Sequence, residues 1–383
     1  MVRTVKFAGR DFMPWSLSPM AGITNAPFRA LCREFAMAGS DSCQKKSQIA
    51  DLKIEPGMFV NEMVAARALG THISKARAHM RFDSSESFRS AQLYCKEPEW
   101  AYNAAKVIAE ENLADHIDLN FGCPVKKVTS GGGGSAIPLK PDLLRGIIKG
   151  VVEGVKDGQI DDTLIPVSAK FRIGVDPEHI HYLRTAEIAI EEGCKLLTLH
   201  ARTTAQFYSG EANWAAIKKL RELAPKDILV YGNGDIWGVD DFRRMQEETG
   251  CNGVAIGRGV MGRPWLFQSL ATGESYRPNL GEVVEIMLKH CKNLIDFIDN
   301  EDPKMKDNLG IRAFRANIGP YLKGFPVGSE KKVQIMKAGT FEQLREELNK
   351  LDFSAPYPES VEDKPRGRTK SLRKVVVPYG WLD

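Results

Sequence analysis

The segment HisIleAspLeuAsnPheGlyCysPro, residues 116–124, ends an apolar run on a bend that carries a thiol. Gly122 permits a sharp turn before Cys123, and Pro124 fixes the chain direction after it. A thiol held this way can serve as a general acid or as a nucleophile. No histidine is evidently paired with Cys123, and no acyl-transfer triad can be assembled from the sequence. A free thiol has a pKa of about 8.5, so it stays mostly protonated at neutral pH unless its site lowers that value. A protonated thiol can give a proton to carbon.

Other apolar runs also end in polar residues. Pro19, Met20, Ala21 and Gly22 end the first. Gln92 lies in the third, and its amide both donates and accepts. Asn120 closes the fourth. Lys170 stands in SerAlaLysPheArgIle, where a buried charge is costly unless it meets an anion or a polar ring. His200 ends the sixth run, with Arg202 following. Gly232, Asn233, Gly234 and Asp235 end the seventh, and Gly257, Arg258 and Gly259 end the eighth. Glycines let backbone N–H groups approach an anion closely, and Arg258 adds a charged fork, so these last two ends predict a phosphate site. If the bound group is a flavin, Lys170 would stabilise its anionic reduced ring.

These groups need a scaffold that brings strand ends together. The spacing predicts strands at 15–20, 58–63, 90–94, 116–121, 165–171, 195–200, 228–232 and 253–257. Amphipathic helices are expected at 100–110, 142–155, 181–192, 214–223 and 239–249. Strand followed by helix, eight times over, argues an α/β fold with a closed parallel barrel inside a ring of helices. Such barrels carry their chemistry at the C-terminal strand ends. An open doubly wound sheet fits less well, because no Gly-x-Gly-x-x-Gly follows the first strand. Residues 38–57 are polar and read as a loop between the first helix and strand two. From about 280 the strand signal stops, and helices are expected at 282–298, 309–323 and 340–351. The expected division is a barrel over 1–275, a smaller helical domain over 276–352 and an extended basic tail over 353–383.

Composition bounds the rest. The chain has 383 residues, 43% of them hydrophobic and 27% charged, as in ordinary globular proteins. No apolar run is long enough for a membrane span and no signal core opens the chain, so a cytoplasmic protein is expected. The seven cysteines are scattered without a Cys-x-x-Cys pair, so neither a zinc site nor a disulfide framework is expected, and no other metal site is evident. A net charge of +4 permits a nucleic-acid partner without demanding one. Residues 364–374 carry only basic charges, as a solvated run or as a phosphate contact.

SerProMetAlaGlyIleThr (18–24), AlaGlnLeuTyr (91–94), AspLeuAsnPheGlyCysProVal (118–125), AlaLysPheArgIleGly (169–174), LeuHisAlaArgThr (199–203), GlyAsnGlyAspIle (232–236) and GlyValAlaIleGlyArgGly (253–259) stand in one order. As a set they resemble the tRNA-dihydrouridine synthases. TyrLeuLysGlyPhe (321–325) resembles that family's C-terminal helical region. The resemblance implies a TIM barrel with FMN over its mouth, NADPH or NADH as reductant, and tRNA as partner to a monomer. Hydride would pass to C6 of a tRNA uridine, and the thiol matching Cys123 would protonate C5. Pro19, Met20, Ala21, Gln92, Lys170, His200, Asn233, Gly234, Asp235, Gly257 and Arg258 would then hold the cofactor. Asn120, Arg202, Arg315 and Lys323 would meet the RNA. Two rivals stand beside this reading. One is a flavoenzyme acting on a free pyrimidine, like the dihydroorotate dehydrogenases. The other is an RNA-binding protein on a barrel without catalysis.

Overall fold

The predicted strands pair side by side, all in parallel. The computed structural model describes residues 4–47, 53–71, 73–160, 164–367 and 372–382. Its central sheet runs through Trp15–Leu17, Met58–Phe59, Ser90–Tyr94, His116–Phe121, Val167–Arg172, Leu196–His200, Leu229–Asn233 and Gly253–Ile256. Gly253–Ile256 returns to the first strand with Ile256 opposite Leu17, and Leu17 lies opposite Phe59. A parallel bridge from Val60 to Ser90 closes the ring. A short strand, Val64–Ala65, adds to Ser90–Tyr94. The result is an eight-stranded barrel.

The core lies between the strands and the helices around them. Helices Pro98–Glu110, Pro141–Gly158, Tyr182–Glu191, Trp214–Leu223 and Val239–Thr249 follow strands three to seven in turn and turn apolar faces inward. Glycines at Gly150, Gly154 and Gly158 bring Pro141–Gly158 against its neighbour. A Cβ at Gly154 would lie 2.3 Å from the carbonyl oxygen of Tyr102.

The floor of the barrel has a cover that periodicity does not show. Val5–Phe7 and Arg10–Phe12 form a hairpin, and Ile54–Glu55 joins it as a third strand. Phe7, Phe12 and Phe88 pack there on Leu196 and Tyr231. Strands of two or three residues leave too little alternation to read.

The expected loop at 38–57 is corrected. Helix Ala26–Ser47 continues through its first part, Ile54–Glu55 is a strand, and residues 48–52 lie outside the described residues. Gly39 reads as a breaker, yet it is where helix Leu266–Thr272 comes closest. A Cβ there would lie 2.7 Å from Cβ of Ala271. Arg29, on the same long helix, is fully buried with Glu86 through a paired contact, both bonds 2.8 Å.

Beyond the barrel stand helices Leu280–Phe297, Pro303–Tyr321, Ser329–Lys337 and Phe341–Leu348 around a second apolar cluster that includes Val283, Phe314 and Leu344. Helix Pro303–Tyr321 starts six residues before its expected start at 309. The signal is Asp302, which caps Lys304 N at 2.9 Å, with Pro303 in the first turn. Ala355 and Tyr357 also join this cluster. The basic run is therefore only partly solvated. Arg366 is buried, donating to the carbonyls of Met261 and Pro320 and to the Tyr357 hydroxyl. Residues 368–371 of that run lie outside the described residues. Among the described residues no helix is long and apolar enough to cross a membrane.

Candidate active site

A cavity of about 500 Å³ opens at the C-terminal ends of the barrel strands. Every residue expected to hold the cofactor lines it: Pro19, Met20, Ala21, Gln92, Lys170, His200, Asn233, Gly234, Asp235, Gly257 and Arg258. Asn120 and Cys123 line it too. Parallel strands in register place those ends on one rim.

Cys123 sits at the turn that its neighbours dictate. The Asn120 side-chain oxygen accepts from the amides of Gly122 (3.1 Å) and Cys123 (2.9 Å), which pins the bend. Asn120 Nδ2 donates to Gln92 Oε1 at 2.9 Å, and Gln92 Nε2 donates to Asp118 Oδ2 at 2.7 Å. Ser168 Oγ donates to the other oxygen of Asp118 and contacts His116 Nε2 at 2.9 Å. A buried polar chain thus runs from the barrel floor to the thiol. Burial raises the Cys123 thiol above its ordinary value, against smaller pulls from the Val125 amide and the Arg172 and Lys170 charges. The thiol is protonated at neutral pH. Cys123 is the one partly exposed cysteine among the described free thiols.

The neighbouring strand ends of the cavity are cationic, beginning with Lys170, which pairs in register with Asn120. Lys170 Nζ donates to Asn233 Oδ1 at 3.2 Å. Burial, helped by the Arg172 charge, lowers it to about 8. Burial lowers Arg258 to about 10 as well, with the Arg202 charge adding to it. The Arg258 guanidinium lies over the rings of Tyr208 (4.5 Å) and Trp237 (4.9 Å). His200 is pushed well below its usual value by burial and by four surrounding cations, so its imidazole is neutral. Asp235 is the acidic counterweight, 3.6 Å from Arg258. At the glycine-rich end, a Cβ on Gly259 would lie 2.3 Å from the Ile236 carbonyl oxygen, so only glycine fits.

Three expected RNA contacts do not reach the cavity. Arg202 is fully buried behind its wall, where Nη2 meets both oxygens of Asp235 at 2.7 Å and the carbonyl of Gly210 at 2.6 Å. It ties loop 203–210 to Asp235. Arg315 donates to the Ala338 carbonyl, and Lys323 to that of Pro365. Both belong to the helical part, and neither lines the cavity.

The motif reading passes over other wall residues. Arg172 is the main one. It donates to the carbonyls of Gly122 (2.9 Å), Thr203 (2.9 Å) and Phe207 (3.0 Å), joining the thiol turn to loop 203–210. Strand alternation puts it on the same face as Lys170, two residues earlier, and that signal was present. Tyr208, Trp237 and Gly367 also line the cavity but lie in loops and in the C-terminal segment, where no periodicity marks them. Among the described residues no group of three or more His, Cys, Asp or Glu could hold a metal ion.

Known proteins match this architecture. The family model "Dihydrouridine synthase (Dus)" matches residues 16–355, so residues 356–383 lie beyond it. A relative from Mycobacterium leprae (strain TN), "Probable tRNA-dihydrouridine synthase", is 43% identical, covering 96% of this chain and 95% of its own. "tRNA-dihydrouridine synthase B" from Vibrio vulnificus (strain CMCP6) is 34% identical over 82% of this chain and 88% of its own. Among solved structures, histamine dehydrogenase from Rhizobium sp. 4-9 matches with a TM-score of 0.50 at 12% identity, over 92% of this chain. This chain spans only 65% of that longer one, and the likeness is one of fold. Motif order, barrel and length of match agree that the chain belongs to the dihydrouridine synthase family.

Proposed function

We propose that the barrel cavity holds FMN, reduced by NADPH or NADH, and that the protein converts a tRNA uridine to 5,6-dihydrouridine with Cys123 as proton donor. One observation carries the reading: a protonated thiol lines a cavity that also holds Lys170, Arg172 and Arg258, with Asp235 as the acid beside Arg258. That excess of positive charge fits an anionic cofactor. When bound, the flavin supplies hydride to C6 of the uracil ring. Lys170 contributes a positive charge to a reduced ring, and Pro19, Met20, Ala21, Gln92, His200 and Asn233 flank it. Gly234, Gly257 and Arg258 hold its phosphate, and Asp235 keeps Arg258 in place. Asn120 fixes the thiol turn beside the substrate. Cys123 gives its proton to C5, and Arg315 and Lys323 stand as outer tRNA contacts. The decisive experiment maps dihydrouridine in tRNA with and without the protein. Turnover of free uracil in place of tRNA would favour the free-pyrimidine rival.

Arg258→Ala tests the phosphate assignment. Removing a charged donor costs about 1.5–3 kcal/mol, so flavin affinity should fall by about 10–100-fold. Flavin fluorescence titration reads it, and full retention of flavin would reject the assignment.

The pH profile tests the acid. Protonated Cys123 is the active form, and its pKa is raised. Single-turnover uridine reduction should therefore persist through neutral pH and be lost only as pH rises above about 8.5, the ordinary thiol value. Loss of rate centred near pH 7 would contradict a raised thiol.

A further inference from the structure

The chain beyond residue 355 does not leave the molecule. Its described residues reach the rim of the cavity at Gly367 and dock again beyond residue 371. Gly367 lines the cavity beside Met261 and Arg258. The Arg373 amide then donates to the Ala205 carbonyl at 2.9 Å, with its guanidinium 4.2 Å from the Phe207 ring. The last turn docks on the loop that follows Cys123. The Trp381 ring lies where a Cβ on Gly132 would be 2.8 Å away. Lys140 Nζ donates to the Gly380 carbonyl at 3.3 Å and lies 5.7 Å from the Trp381 ring. His179 Nε2 contacts the Leu382 carbonyl at 3.1 Å.

Within this pinned end the Trp381 amide donates to the Pro378 carbonyl at 3.3 Å, and Gly380 has φ +72°. That is a β-turn with glycine where positive φ is required. Tyr379 is the other central residue, and the turn aims it outward. It is 102% exposed, as open as a tyrosine can be, although the residues on either side are held. A fixed backbone presents the ring with little ordering left to do on binding.

The surroundings indicate what the ring meets. Gly132 donates to the Thr129 carbonyl at the end of helix Lys126–Thr129, whose Lys126 and Lys127 are exposed. Lys127 lines the cavity. Lys140 borders the turn, and Arg373 and Lys374 are exposed earlier on the same segment. The same loop returns to the thiol, since the Ser135 amide donates to the Cys123 carbonyl at 3.1 Å. An exposed aromatic face among lysines, one loop away from the reacting thiol, suits an unstacked nucleobase with its phosphates.

We propose that Tyr379 is a stacking platform for a base of the RNA substrate next to the target uridine, held at the barrel mouth by the docked C-terminal turn. This rests on the function proposed above. It gives the segment past residue 355 a part in substrate binding.

The test uses the full-length protein and bulk tRNA lacking dihydrouridine, at fixed salt. Tyr379→Ala should weaken tRNA binding by about 10-fold, and Tyr379→Phe should stay within about two-fold, because stacking needs the ring and not the hydroxyl. Bound-flavin absorbance checks that each variant keeps its fold. An unchanged Kd in Tyr379→Ala overturns the proposal, as does equal weakening in Tyr379→Phe. A change in oligomeric state in place of tRNA affinity would also overturn it, by assigning the ring to a second copy. If the unaltered protein neither binds nor reduces tRNA, it is the function proposed above that fails. Binding and reduction by the unaltered protein, with Tyr379→Ala behaving alike, would remove the stacking role alone.

Discussion

Cys123→Ala should slow uridine reduction by about 10²–10⁴, the usual contribution of a positioned acid. The flavin should still bind, because the phosphate and ring contacts proposed for it lie on other strand ends. Reduction by NADPH should also persist, since that step needs no thiol proton. The turn should survive as well: Asn120 holds it through the backbone amides of Gly122 and Cys123, not through sulfur. The variant therefore separates chemistry from assembly. The measurement is a single-turnover assay, with pre-reduced enzyme and dihydrouridine counted in the RNA. Near-normal product formation would leave Cys123 a structural thiol and move the acid elsewhere.

Asp235→Ala should destabilise the fold by about 3–5 kcal/mol, the cost of stripping the partner from a buried charge. The Arg202 side chain is 2% exposed and uses both Asp235 oxygens. The carboxylate also accepts from the Ala212 amide at 2.7 Å and stands 3.6 Å from Arg258. Removing it leaves two arginines facing one another across the wall of the cavity. Asp235 also has φ +57°, a conformation alanine adopts poorly. Asp235→Asn keeps the shape and tolerates that φ, so it should fall between the parent and the alanine variant. A urea titration followed by far-UV circular dichroism reads the loss, and flavin retention should drop alongside. An alanine variant as stable as the parent would mean that Arg202 finds another partner or water.

The barrel was legible because its strands are short apolar runs with polar ends, alternating with amphipathic helices. Ser90–Tyr94 and His116–Phe121 match their expected bounds. Elsewhere ends move by a few residues, as in Val167–Arg172 against an expected 165–171. The misreading at 38–47 has a physical source. Gly39 looks like a breaker along the chain but is a contact point between helices. The floor hairpin was missed because strands of three residues carry no period.

The site divides in the same way. Cys123, Lys170, His200 and Arg258 were legible because each is costly or reactive at the end of an apolar run, and a barrel gathers such ends by construction. Arg172 could have been found by alternation from Lys170. What each side chain touches could not. Arg202 belonged to the motif but faces Asp235 behind the wall, because the loop it anchors, 203–210, turns back over it. Charge alone left the run near 366 open between solvent and phosphate, yet Arg366 is enclosed by carbonyls of Met261 and Pro320. Sequence determined which residues can do chemistry and which strand ends carry them, since both follow from residue type and local period. Tertiary structure decided the partners of Arg202 and Arg366 and the docking of Trp381 on Gly132. Those contacts join segments 33 to 249 residues apart, and their energy depends on packing that no local pattern encodes.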